Sequence, residues 1–83
     1  MHQIKLDRQK NSAEIDLNAF FYPKHILEQA TVPFRKIAEI TLKEEKGRHC
    51  VLVKPKEKGK AEKTALHFCN YALSLKRELG EHA

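Results

Sequence analysis

The stretch Lys36-Ile37-Ala38-Glu39-Ile40-Thr41-Leu42-Lys43-Glu44-Glu45-Lys46-Gly47-Arg48-His49-Cys50-Val51-Leu52-Val53-Lys54-Pro55 decides the fold. Ala38, Ile40 and Leu42 alternate with Glu39, Thr41 and Lys43, the period-two pattern of a strand that buries one face. Glu45-Lys46-Gly47-Arg48 reads as a turn, with Gly47 free to take positive φ. The return strand, His49 to Lys54, is apolar on both faces, with Cys50 and Leu52 on one and Val51 and Val53 on the other. Such a pattern belongs to a central or doubly covered strand. Pro55 ends it, because proline donates nothing to a ladder. The polar run from Pro55 to Lys60 reads as a mobile loop.

Upstream of this hairpin, Glu14-Ile15-Asp16-Leu17 repeats the strand alternation. Tyr22, Ile26 and Ala30 then recur every four residues, and Leu27 broadens the stripe, predicting a helix from Pro23 to Thr31. Pro23 suits a first helical turn, where its missing N–H costs nothing, and Pro33 disfavours helical geometry at Val32. Residues 1–13 read as a flexible N-terminal segment, although Ile4 and Leu6 alternate as a short strand would. Downstream, Ala61, Ala65, Phe68, Ala72, Leu75 and Leu79 step by helical intervals, with Leu66, Cys69 and Leu73 widening the apolar face. Gly80 stands where a C-terminal cap belongs. The expectation is α+β: a two-layer β-α-β-β-α domain over residues 14–80, its small sheet covered on one face by two helices, with a tail at 81–83. The pattern leaves the strand order open; if the first two of these strands lie side by side, their crossover is right-handed.

Composition narrows the function classes. With 41% hydrophobic and 33% charged residues, the chain suits a folded soluble domain better than a disordered one. At 83 residues it needs nearly all its apolar side chains for stability, which weighs against an enzyme with an enclosed pocket. Cys50 and Cys69 are too few for a disulfide framework, the start carries no long apolar stretch, and no window approaches the roughly 20 apolar residues of a membrane helix. A cytoplasmic location without a membrane partner is the expectation.

Constellations for chemistry are missing from the pattern. His49 and Cys50 are strand neighbours facing opposite sides, and His67 and Cys69 lie on different sides of a helix, so neither pair chelates one ion. Cys69 sits on the buried stripe and Cys50 points with Leu52, so both thiols read as core fillers rather than nucleophiles. Three scattered glycines make no phosphate loop, and Glu44-Glu45 lies beside a turn among lysines, as solvated carboxylates do. The reading is a non-enzymatic chain with no catalytic residue, no metal and no cofactor.

Surface features suggest partners instead. From Lys43 to Lys63 there are eight basic residues against four acidic, so this stretch supplies +4 of the net +5. Arg48, Lys54, Lys56, Lys58, Lys60 and Lys63 form a candidate basic patch. A nucleic-acid-binding domain using Lys54 to Lys63 is the alternative function, although no aromatic platform interrupts the patch. Asn70, Tyr71 and Arg77 fall off or beside the apolar stripe of the last helix and are candidate partner-binding residues. Phe20 and Phe21 join them, while Tyr22 and Phe34 are assigned to the core. Open sheet edges offer strand addition to a protein or peptide, and the heptad-like last helix offers a homodimer.

The order of these elements resembles a known family. Leu17 to Ala30, with Tyr22 leading into the short helix, then the hairpin and His67-Phe68-Cys69-Asn70-Tyr71-Ala72-Leu73, is similar to HxsD-type proteins. These are small accessory proteins of the His-Xaa-Ser system, encoded beside radical-SAM maturases. The resemblance covers about residues 14 to 79. Against the family's late motif, Leu-Asn-Asp-Tyr-x-Leu-Arg-Glu, Tyr71 and Leu73 match the Tyr-x-Leu core. Asn70 stands at the Asp position, Cys69 at the Asn, and Ser74-Leu75 replaces Arg-Glu, which makes the chain a divergent relative. The resemblance implies an accessory protein that partners a radical-SAM peptide-modifying system.

Overall fold

A computed structural model describes residues 3–18 and 22–78; Phe20, Phe21, Gly80 and the tail at 81–83 lie outside the described residues. The elements are β1 (Gln3–Asp7), β2 (Ser12–Asn18), α1 (Lys24–Thr31), a 3₁₀ turn (Val32–Phe34), β3 (Ala38–Glu45), β4 (Arg48–Pro55) and α2 (Ala61–Glu78). The chain is α+β, a four-stranded antiparallel sheet in the order β1-β2-β4-β3 with two helices.

The central hairpin forms as its pattern predicts. Lys46 and Gly47 make a two-residue turn with φ of 37° and 79°, the positive pair whose twist matches that of the flanking strands. β3 buries Ala38 and half-buries Ile40 and Leu42, while Glu39, Thr41 and Lys43 stay exposed. β4 buries His49, Val51 and Val53, and takes the centre of the sheet between β2 and β3. In α1, Ile26, Leu27 and Ala30 are buried, and the helix gives way at Val32 to the 3₁₀ turn that accommodates Pro33.

The expectation for the N-terminal segment is corrected. The segment placed in a flexible tail holds a strand: β1 pairs antiparallel with β2 from Gln3 opposite Asp16 to Asp7 opposite Ser12, and Ile4 and Leu6 pack on the core. Five residues with two apolar side chains give too short an alternation to register as a strand alone, and β2 supplies the template. The strand order, which the sequence leaves open, puts β2 beside β4 and makes β3 an edge strand. The strand with apolar side chains on both faces takes the centre, and the one with Glu39, Thr41 and Lys43 outward takes the edge.

Both helices pack on the same sheet face, α2 against β1, β2 and β4 and α1 against β3, with the helices also touching each other. Phe68, Ala65 and Ala72 of α2 are completely buried on Ile15, Leu17, Val51 and Val53. Phe34 closes this layer with an edge-on contact to Phe68, ring centroids 5.7 Å apart. Leu66, assigned by its spacing to the apolar face, is instead 45% exposed at the rim of α2. Lys76 is buried although nothing in the pattern marks it; its Nζ lies 5.6 Å from the centroid of the Tyr22 ring, near the negative end of the helix.

Candidate partner-binding surface

Strand alternation divides the sheet into a covered face and an open one. Lys5, Lys43, Arg48 and Lys54 share the open face with Asp7, Glu14, Asp16, Glu39 and Glu45, an excess of one negative charge. Outside the open face, the described residues carry twelve basic and five acidic side chains, a net +7. Register sets opposite signs side by side: Lys5 faces Glu14, and Lys54 faces Glu39. The Arg48 guanidinium reaches diagonally to Asp16 Oδ2 at 2.9 Å. The open face is therefore a neutralised charge lattice rather than a basic surface.

The candidate basic patch separates accordingly. Arg48 opens β4 and Lys54 lies near its end, so six strand steps set them roughly 20 Å apart. Both are on the open face, while Lys56, Lys58, Lys60 and Lys63 follow on the β4–α2 connection and the first turn of α2. That connection is held in place. Asn11, at φ 50° in the β1–β2 turn, donates from Nδ2 to the Pro55 and Glu57 carbonyls at 3.2 and 3.1 Å, and its Oδ1 accepts the Gly59 N–H at 3.0 Å. The loop read as mobile is thus tied to the neighbouring turn by one side chain. Gly59 takes φ 79°, a conformation that L side chains resist.

The face proposed around Asn70, Tyr71 and Arg77 also divides. All three are exposed, but helical geometry sets Asn70 and Arg77 on one line with Leu66 and Leu73, and Tyr71 about 100° away from Asn70. Tyr71 is 38% exposed and rests its ring on Phe34, centroids 6.1 Å apart. His67, one turn earlier on the same side of α2, lines a shallow groove with Ile37, Pro55, Lys60 and Lys63. Ile37 is 52% exposed and Val32 55% exposed in the segment joining α1 to β3. The result is a strip running from Ile37 past His67 to Tyr71, one helical turn beyond, with Lys60, Lys63 and Glu57 around the Ile37 end.

Neither thiol is set up as a nucleophile. Cys50 lies on the open face rather than in the core, and its thiol donates to Glu14 Oε1 at 3.0 Å. Desolvation, that hydrogen bond and the charges of Glu14, Asp16 and Glu45 push its pKa up to about 11. Burial alone pushes Cys69 up to about 11. His49 is on the covered face, 4% exposed, with Nδ1 3.8 Å from Glu44 Oε2. His67 is on the outer side of α2, so His49, Cys50 and His67 converge on no common point. Among the described residues no group of three His, Cys, Asp or Glu side chains is arranged to hold a metal ion, and no helix is long and apolar enough to cross a membrane.

Signals for the Asn11 clamp and the Ile37 strip were weak in the sequence. An Asn in a polar turn is common, and its partners are 44 to 48 residues away. Comparison with known proteins returns no matching family model, no similar curated protein and no similar solved structure.

Proposed function

We propose that this chain is a non-enzymatic protein- or peptide-binding module whose partner docks on the strip formed by Ile37, His67 and Tyr71. The observation that carries the reading is the exposure of Ile37 beside His67, Lys60 and Lys63, with exposed Tyr71 one turn beyond His67, in a domain whose other large apolar side chains are mostly buried. Aromatic and aliphatic anchors with a charged rim suit an acidic segment carrying apolar residues. The described residues outside the open sheet face carry +7, which steers such a partner away from the neutralised face. On the HxsD resemblance, the partner belongs to a radical-SAM peptide-modifying system.

Selection of a displayed random-peptide library on the purified chain tests this reading. The enriched peptides are acidic with apolar anchors, and they lose binding to an Ile37→Ser, Tyr71→Ala variant that retains its circular dichroism spectrum. Enrichment of nothing, or binding indifferent to both substitutions, rejects it. The alternative, nucleic-acid binding, rests on Lys56, Lys58, Lys60 and Lys63 being held together by the Asn11 clamp. It requires binding to generic DNA or RNA at low salt that weakens steeply as salt rises. Such binding, lost on replacing those four lysines, puts the alternative in first place.

A further inference from the structure

We infer that β3 is the interface of a symmetric dimer, pairing antiparallel with β3 of a second copy in a register centred on Thr41. This inference is independent of the partner strip on α2. It begins from which backbone groups of β3 are free. The Lys56 N–H donates to the Ile37 carbonyl at 2.9 Å, so these two form a hydrogen-bonded pair. Such pairs alternate along an antiparallel ladder, so Glu39, Thr41, Lys43 and Glu45 also turn their N–H and C=O groups toward β4. Those of Ala38, Ile40, Leu42 and Glu44 then point away from β4, and among the described residues no strand lies beyond them.

Two identical strands related by a twofold axis satisfy these groups only if even-numbered residues pair with even-numbered ones. Centring the axis on Thr41 does so, with Ile40 opposite Leu42 and Ala38 opposite Glu44. Between them, Glu39 of each protomer faces Lys43 of the other, and Thr41 faces its own copy. Neighbouring registers lack this match. An axis at Leu42 sets Glu39 against Glu45 and Ile40 against Glu44; an axis at Ile40 leaves Lys43 opposite Ile37. Opposite charges therefore meet on the open face in the Thr41 register alone of these three. On the covered face, Ile40 and Leu42 are only half-buried by their own protomer, and the second β3 brings each an aliphatic neighbour. The axis stands perpendicular to the sheet, which becomes eight-stranded with the helices of both copies on one side. An edge strand of eight residues carrying a self-complementary charge pair is thereby closed by its twin.

Sedimentation of the full chain across a wide concentration range tests the pairing. A monomer–dimer equilibrium is expected, together with concentration-dependent protection from hydrogen exchange at the Ile40, Leu42 and Glu44 amides but not at Thr41 and Lys43. Lys43→Glu and Glu39→Lys each weaken the dimer about tenfold or more, because two facing pairs turn repulsive at once. Mixing these two variants restores association, since each then meets the opposite charge, and the double reversal in one chain restores it as well. A chain that stays monomeric at every concentration overturns the inference. So does a dimer whose affinity ignores both reversals, as one packed through α2 would.

Discussion

Replacing Ile4 and Leu6 together with alanine removes the apolar side of β1 and leaves its backbone ladder able to form. Both side chains pack against the core and both are half-buried. Full truncation of a buried Ile or Leu costs about 2–5 kcal/mol, so two half-covered ones at the sheet edge cost about 1 kcal/mol each, roughly 2 kcal/mol together. In a domain of this size each kcal/mol moves the midpoint by about 4–8 °C, which puts the expected drop at about 8–16 °C. The fold survives, because a chain of this length has roughly 4–12 kcal/mol of total stability. Thermal unfolding followed by far-ultraviolet circular dichroism, with urea titration at a fixed temperature, measures both quantities. Lys5→Ala is the control: it lies between the two on the same strand but faces solvent, and its effect stays within about 0.5 kcal/mol. If the double substitution is as silent as the control, β1 is not docked and the sheet has three strands.

Other outcomes follow from single contacts. Asn11→Gly keeps the left-handed turn but deletes three hydrogen bonds to the β4–α2 connection, and costs about 1–3 kcal/mol in urea unfolding; Asn11→Ala adds backbone strain and costs more. Gly47→Ala meets no atom within 4 Å, so its loss of about 1 kcal/mol comes from φ 79° alone, and it appears as a lower urea midpoint with an unchanged slope. Alkylation of Cys50 by iodoacetamide is slow at neutral pH and accelerates toward pH 11; Glu14→Gln removes an acceptor and a charge, and shifts that rise to lower pH. Both thiols ionise near 9 in the unfolded chain but near 11 in the fold, so the unfolded state binds fewer protons in between and stability falls as pH rises through that window.

The legibility of the fold follows from how local each decision is. The β3–β4 hairpin was readable because alternation, Gly47 and Pro55 agree within 18 residues, and Ala38–Pro55 pairs as that pattern requires. The α2 stripe was readable for the same reason, since Phe68 and its companions recur on one face. Cys50 was misplaced because a strand apolar on both sides does not say which side gets the helices. That choice is made by Ile15, Leu17, Val51 and Val53 together, across two strands far apart in sequence. Leu66 and Lys76 exchange their expected places for a related reason: α2 is flanked unevenly, and the position beside Tyr22 is covered while the one at the rim is not. The candidate strip was half visible. Tyr71 was singled out, but Ile37 gains its meaning only when the chain leaving the 3₁₀ turn lies beside His67.

One constraint ties the two sheet faces together. Among the described residues two helices cover one face of the four strands, and no element covers the other, which is polar. It meets water as a surface of alternating charge: Lys5 stands opposite Glu14 and Lys54 opposite Glu39, and Arg48 bonds Asp16. Each column of this lattice answers its neighbour until β3, the last. There, among the described residues, Lys43 stands opposite Cys50 in the ladder, and Glu39 has Lys54 on one side with no strand on the other. Pairing β3 with a second β3 continues the lattice by its own rule, placing Lys43 and Glu39 opposite each other at both ends of the shared strand. The same physics that makes an uncovered sheet soluble then selects its register of association. Charge reversal at Lys43 or Glu39 accordingly acts on dimer affinity far more than on thermal midpoint, because within one protomer Lys43 faces the uncharged Cys50 thiol and the exposed Glu39–Lys54 contact is worth little. Parallel losses in both measurements would place the two residues in the protomer's own stability instead.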